Sequence, residues 1–421
     1  MRKVRRIERK GKHVVLAPVP HPAAGHTPDI EATVAVIQAL VPLGLLKVEE
    51  ALQEELAALT GERYARTGGQ PGLVRWGRQA GSVFLADQKI PVTVPRVRDQ
   101  RTKCEQPLET YRQLQQPRAR DLGLLHKVLG GLSTREYARC AEAIPEAFGL
   151  SASTVSRRFI RATTRQLRTL LERRVDGYDI VAVLIDGKTF AEDEMVVAVG
   201  VTLTGEKIVL GFVQTATENR KVCAAFLREL LERGLRLDQG VLVITDGAKG
   251  LHAAVREVFG TAALLQRCQW HKRENVVGYL PERHRARFRR TLQAAYEQPT
   301  YERAKAALVR VRAELALVNA SAAASLDEGL EETLTLHRLG VFRQLGLTLK
   351  TTNLIESINA RIASRTAKVD HWRTSDQKQR WLATAVLDLE PHLRRIRGHQ
   401  ALPLLRQALQ AHVSRGEVAA A

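Results

Sequence analysis

Three acids, Asp186, Asp246 and Glu356, have the types and settings to do metal-assisted chemistry. Asp246 ends the run VLVIT, in which four of five residues are β-branched, the composition of a buried strand. A carboxylate at that point is either the start of a turn, since Asp-Gly is a common turn pair, or a ligand at the carboxyl edge of a sheet, where α/β proteins bind what they act on. Asp186 is placed similarly, late in the apolar run DIVAVLIDGKTF. Two carboxylates brought together repel and lose hydration. A divalent cation reverses the sign of that interaction, and hard oxygen donors suit Mg²⁺. Glu356 lies in LKTTNLIESINARIASR, where Ile355, Ile358 and Ile362 recur at helical spacing and Asn353 and Asn359 flank the acid on either side. A single helical Glu is otherwise an ordinary solvated residue. Taken together, the three would suit metal-dependent phosphoryl transfer.

The elements around these acids have a definite order. DIVAVLIDGKTF, EMVVAVGVTL and KIVLGFVQ are strands whose short connections demand antiparallel pairing. A helix (TENRKVCAAFLRELLERGL), the strand VLVITDG, a helix (AKGLHAAVREVFG) and a fifth strand (ALLQRCQWH) come after them. The order β-β-β-α-β-α-β is that of the ribonuclease H-like fold: α/β, a mixed sheet with its first three strands antiparallel and helices on both faces. In that fold the first and fourth strands are neighbours, so Asp186 and Asp246 would meet. More than a hundred residues separate Asp246 from Glu356, and those after the fifth strand, ERHRARFRRTLQAAYEQ, YERAKAALVRVRAELALV and SLDEGLEETLTLHRL, read as helices of a large all-α insertion.

Ahead of this core the pattern suggests DNA-binding elements. Residues 30–60 read as two helical stretches around a Pro-Leu-Gly break, and GSVFLADQKIPVTVPRVRD reads as a hairpin. Between Gly131 and Thr163, Ser133 can cap one helix, Gly149-Leu150 can turn, and Ser151 or Ser153 can cap a second, which outlines a helix-turn-helix. Ser153, Thr154, Ser156 and Arg157 at the start of the second helix can reach base edges. Arg158, Arg161, Arg165 and Arg168 succeed them at steps of three, four and three and would face phosphate. A structural three-helix bundle with a solvated basic face is the alternative.

The bulk properties agree with a nucleic-acid partner. The 421 residues carry 65 Lys and Arg against 45 Asp and Glu, a net charge of +20 that sets the chain apart from ordinary neutral enzymes. No run of eighteen apolar residues marks a membrane span, and the basic start MRKVRRIERKGKH lacks an apolar signal core, so it reads as a mobile arm. Four scattered cysteines make no disulfide framework and fit a reducing cytoplasm. Aromatics at 5% argue against a protein built around base-stacking platforms.

In RCQWHKREN, Cys268 and His271 form a C-x-x-H pair, half of a zinc pattern without a second half at a convincing spacing. The other possibility is local: His271 beside the acids as a proton-handling group, Cys268 as a small buried residue fixing the turn, and Arg267, Lys272 and Arg273 facing phosphate.

The motifs IDGKTF with MVVAVGV, ATENRKVCAAFL, VITDGAKGL, RCQWHKREN, LEETLTLHRLG and TTNLIESIN stand in the order found in bacterial Mutator-type insertion-sequence transposases, which the chain resembles from about residue 179 to 387. That resemblance implies a DDE transposase with Asp186, Asp246 and Glu356 as catalytic metal ligands, two Mg²⁺ ions per site with Mn²⁺ able to substitute, and Cys268 and His271 as the family's C-x-x-H signature. It also implies double-stranded DNA partners, namely terminal inverted repeats and target DNA, at least a homodimer, and a bacterial, nucleoid-associated location. One departure is Ala248 where many members carry His. The expected organisation is an N-terminal region with a basic arm and hairpin (1–100), a basic linker and helix-turn-helix (101–175), the core (176–275), a helical insertion (276–345), the core's last part with Glu356 (346–390) and a helical tail (391–421). A transposase-derived regulator without catalysis, or a ribonuclease or resolvase on the same sheet order, are the competing functions.

Overall fold

In the computed structural model, residues 5–10, 13–18, 40–64, 69–85, 88–115, 120–140, 147–190, 192–215 and 219–420 are described. They fall into two units: residues 1–120 with 138–151, and residues 121–137 with 152–421.

In the first unit, the basic arm expected to be mobile pairs as β1 (Arg5–Lys10) with β2 (His13–Pro18). β3 (Leu73–Leu85) and β4 (Gln88–Asp99) form the expected hairpin, with the two-residue strand β5 (Glu105–Gln106) on its edge. The helix Leu40–Thr60 packs Val48, Leu52 and Leu56 against Val83, Val94 and Val97. The expected Pro-Leu-Gly break is absent: Pro42, Leu43 and Gly44 lie within the helix. The stretch 30–39 lies outside the described residues.

The second unit is built on strand β6 (Ile180–Phe190), whose residues from Val181 to Ile185 are wholly buried. β6 is central because it is apolar on both faces, as a strand covered from two sides must be. β7 (Asp193–Thr202) pairs antiparallel with β6, and β8 (Lys207–Thr215) antiparallel with β7. β9 (Val241–Thr245) and β10 (Ala263–Arg267) add in parallel on the other edge of β6. The sheet order is therefore β10-β9-β6-β7-β8, a mixed sheet with its first three strands antiparallel. The parallel strands need crossovers, and the helices Arg220–Glu232 and Lys249–Phe259 supply them. Phe226, Leu230, Leu251 and Val255 of these helices pack with Val183, Ile185 and Val243 into one core.

The exposed edge of β10 is covered rather than left open. Gln266 spans to the short helical segments Leu330–Thr333 and Thr335–Arg338, donating to the Thr333 carbonyl at 2.9 Å and accepting from the Leu336 amide at 2.9 Å. Gly329, at φ 72°, separates the helix Ala320–Asp327 from these two segments. The insertion's own core, Phe288, Leu292, Leu308, Leu315 and Leu326, is separate from the sheet's.

The segment expected as a helix-turn-helix differs in detail. Ser133 does cap, accepting from the Glu136 amide at 3.2 Å, but it leads into a four-residue 3₁₀ turn, Tyr137–Cys140, and residues 141–146 lie outside the described residues. The second helix, Ala152–Leu171, falls in the sheet unit. It packs on the helix Ser375–Leu389, with Phe159 and Trp381 at 5.0 Å between ring centres.

Candidate active site

β6 and β9 run parallel in the register Ala182↔Leu242, Val183↔Val243 and Leu184↔Ile244, and continuing it by two residues sets Asp186 level with Asp246. Strand pairing thus carries both acids to the same end of the sheet. Asp186 is buried opposite Val197 of β7, while Asp246 begins the turn after β9 and accepts from the Ala248 amide at 3.0 Å. Asp246 is therefore at once a turn residue and a strand-end carboxylate. The glycine after it is required twice over: Gly247 has φ 105°, and a Cβ there would stand 2.1 Å from Arg267 Nε.

β10 ends at Arg267, one residue before Cys268, and the chain turns directly into the helix Gln269–Gly278, so the expected strand through His271 stops four residues short. The Cys268 amide donates to the Thr245 carbonyl at 2.8 Å and the Gln269 amide to the Lys350 carbonyl at 2.9 Å. These two bonds tie the C-x-x-H turn both to the strand that delivers Asp246 and to the start of the helix Asn353–Thr366, which carries Glu356 in its first turn.

Thr352 joins the groups. Its hydroxyl lies 3.1 Å from Glu356 Oε1, 3.3 Å from His271 Nδ1 and 3.6 Å from Cys268 Sγ, and His271 Nε2 stands 3.9 Å from Glu356 Oε1. The His271 imidazolium donates to the Cys268 sulfur, which raises its pKa to about 9; burial opposes this, and the charges of Cys268, Asp186 and Asp246 add to it. Burial on its own would push the Cys268 thiol up, but His271 and the backbone amides of His271 and Thr352 outweigh it and hold the thiol below its usual range. Thr352 is a site residue that the search for acids, imidazoles and cations misses. A signal for it exists in the sequence: a hydroxyl four positions before Glu356 shares its helical face.

Among the described residues, no three His, Cys, Asp or Glu side chains stand close enough to enclose a metal ion. The acids are collected at one end of the sheet without being drawn into a closed cluster. Their donor set is nonetheless that of a hard cation, and the charges of Asp186 and Asp246 add to the upward push that Cys268 gives His271.

The remaining expected site residues separate by burial. Arg158 is buried on the inner face of its helix, beside Val155, Phe159 and Ala162. Arg267 is buried and donates to the Glu328 carbonyl at 3.0 Å. Lys272 is fully buried, donates to the Ser325 carbonyl, and burial depresses its pKa to about 8. These three cations serve the protein's interior, so the expectation that they face phosphate is corrected. Arg273 is half-buried between Glu274 and Gln293. Arg157, Arg161, Arg165 and Arg168 are exposed or partly so, as is Ser153, while Thr154 and Ser156 are half-buried.

Residues 34–394 match the family described as Transposase, Mutator family. The chain belongs to the Mutator family of transposases. It is 27% identical over 315 residues to the transposase for insertion sequence element IS256 in transposon Tn4001 of Staphylococcus aureus, covering 71% of this chain and 77% of that one. It is 28% identical over 328 residues to the transposase for element ISRM5 of Rhizobium meliloti (76% and 78%) and 27% identical over 356 residues to that for IS905 of Lactococcus lactis (81% and 86%). This Mutator-family transposase is thus a DNA-cleaving and DNA-joining enzyme, and no helix among its described residues is long and apolar enough to cross a membrane.

Proposed function

We propose that this transposase binds the terminal inverted repeats of an insertion sequence, cuts DNA and joins the ends to target DNA by DDE chemistry on a ribonuclease H-like core. The observation that carries this is the parallel register of β6 and β9, which sets Asp186 level with Asp246 beside the helix of Glu356. Those three residues would hold two Mg²⁺ ions, or Mn²⁺ in their place. Bound there, the metal would lower the pKa of water or a DNA 3′-hydroxyl and stabilise the leaving oxygen.

The chain's own groups have separable tasks. Thr352 donates to Glu356 and fixes one carboxylate oxygen. His271, charged through its contact with Cys268, presents Nε2 on the Glu356 side and can donate to a phosphate oxygen or hold a proton there. Cys268 keeps His271 charged and in place. No protein–DNA covalent intermediate is called for, so no nucleophilic Ser or Tyr is needed. Arg157, Arg161, Arg165 and Arg168, with Ser153, Thr154, Ser156 and Arg273, supply DNA contacts, the helix Ala152–Leu171 presenting most of them. Two element ends imply at least a homodimer working at the nucleoid.

The test is to incubate protein with Mg²⁺ and labelled element ends and to map every nick and join. Asp186→Ala, Asp246→Ala and Glu356→Ala should each abolish nicking and strand transfer while end-binding in Ca²⁺ persists. A variant that nicks at the wild-type rate removes its residue from the site. Binding without any metal-dependent nicking would favour the regulator, and nicking without strand transfer would favour a nuclease.

A further inference from the structure

We propose that the cavity between the β6–β7 face and the helix Asn353–Thr366 receives a single unstacked nucleobase of the DNA strand being cut. The proposal rests on Asp186 and Glu356 as the reacting centre. The cavity measures about 190 Å³ and is lined by Lys188 and Phe190 of β6, Met195 and Val197 of β7, Asn359 of the helix, and Trp372.

Its position is set by register. Asp186, Lys188 and Phe190 alternate along one strand and share a face. Val197 pairs with Asp186 and Met195 with Lys188, so the cavity floor begins at the residue opposite the acid. Asn359 comes three positions after Glu356, one turn along the same helical face. A phosphate at the acids therefore has its adjoining nucleoside next to the cavity mouth, where Lys188 is exposed.

The lining identifies the occupant. Drug-sized ligands need roughly 300 Å³ or more, so this cavity suits a group of one or two rings. Phe190 and Trp372 stand 5.2 Å apart at 60°, and Trp372 meets Trp381 edge-on at 6.1 Å. In a chain with only 5% aromatics, this concentration beside the acids is where a flat π-face would be held. Asn359 is 5% exposed, lines the cavity, and its side chain makes no hydrogen bond among the described residues. Its amide lines the cavity, and the paired donor and acceptor match the edge of a base. An apolar side chain from a partner protein would leave that amide unanswered, and an intact base pair presents no free base face to the aromatic rings. An extruded base meets both the amide and the rings.

The test uses the full-length protein and duplex element ends carrying 2-aminopurine at each position flanking the cut, on either strand. In Ca²⁺, one position should brighten on binding the wild type, and that signal should fall in Trp372→Ala. In Mg²⁺, Trp372→Ala should nick paired DNA roughly 5- to 150-fold more slowly, the range lost with one stacked base. Trp372→Phe should retain most activity. A mismatch at the extruded position should restore much of the rate to Trp372→Ala, because unstacking is then easier. Asn359→Leu, close in size, should show the same loss and rescue should Trp372→Ala melt at a lower temperature. Wild-type nicking with no responding position, wild-type rates in both variants, or no rescue by mismatch would each overturn the pocket alone. Absence of nicking by the wild type would overturn the assignment of the acids, and the pocket with it.

Discussion

Thr352 has one hydroxyl hydrogen and three groups within reach, so its bonding order is set by charge. An imidazolium Nδ1–H gives to the hydroxyl oxygen, which frees the hydroxyl hydrogen for Glu356. Thr352→Val keeps the shape and removes the relay, so nicking should fall while the melting temperature changes little; Thr352→Ser should restore the rate. Equal rates in all three proteins would place Thr352 outside the chemistry. The Cys268–His271 pair makes a pH prediction whose sign depends on both members. His271 alone, raised to about 9, would contribute stability below pH ~6.5 that is lost as pH climbs through its folded value. Cys268, lowered, would contribute stability above ~8.5 that is lost as pH falls through its folded value. The two contributions have opposite slopes, and the one whose window is fixed is that of His271. His271→Ala should therefore cost most stability at and below pH ~6.5, with the difference from wild type shrinking as pH rises through about 9. Denaturant midpoints measured against pH for both proteins check this, and parallel profiles would show that folding does not raise His271. Cys268→Ser should lose stability and bring the His271 pKa down toward its ordinary value, which NMR titration reads directly. Metal analysis of the purified protein should find no stoichiometric zinc; one zinc lost from both the Cys268 and His271 variants would make the pair a structural clip.

At the scale of elements, the strands are legible because β6 and β9 are apolar without alternation, which only strands covered on both faces can be. Their pairing in parallel, and with it the meeting of Asp186 and Asp246, is a consequence of strand order. The helix Ala152–Leu171 is half legible. Two stripes overlap on it: Val155, Phe159 and Ala162 inward, and Arg161, Arg165 and Arg168 outward, with Arg158 one turn from members of both. Spacing cannot decide which stripe takes it; the packing of this helix on Ser375–Leu389 does, and that contact joins residues more than two hundred positions apart, with Arg380 donating to Thr163 at 2.8 Å. The cations Arg267 and Lys272 are misread from sequence for the same reason, since the carbonyls of Glu328 and Ser325 that receive them come from the insertion. Arg158→Ala should consequently lower unfolding free energy by about 1–3 kcal/mol. Arg161→Ala and Arg165→Ala should leave stability within about 0.5 kcal/mol and each reduce the salt slope of DNA binding by about one phosphate contact. A stability loss shared equally by the three would mean that no outer basic face exists.

For the whole molecule, a net charge of +20 supplies attraction to any duplex, so discrimination has to come from placed groups. Placement in turn depends on a sheet unit that the end of the chain completes. The residues expected as a C-terminal tail form a helix, Leu402–Ala420, that buries Leu402, Leu405 and Leu409 and sends Arg406 to the carbonyls of Gly240 and Ile180 at 3.0 Å each, as well as to Asp179. Those carbonyls lie at the starts of β9 and β6, the ends opposite the acids. The same two strands are thus held at one end by Arg406 and carry Asp246 and Asp186 at the other. Just before this helix, Glu390 accepts two bonds from Arg173 at 2.7 and 2.8 Å and one from the Val209 amide at 2.7 Å, fixing β8 as well. Three buried leucines are worth about 1.5–3 kcal/mol each, which is comparable with the whole stability of a domain at about 5–15 kcal/mol. A chain ending at Gln400 should therefore lose cooperative thermal unfolding of the sheet unit and all nicking activity. Arg406→Met, which keeps the apolar packing and removes the clamp, should lower the melting temperature and the nicking rate together, with no change in the salt slope of DNA binding. If the shortened chain melted as the full protein does, the end helix would be an appendage, and the alignment of Asp186 with Asp246 would rest on the β6–β9 pairing alone.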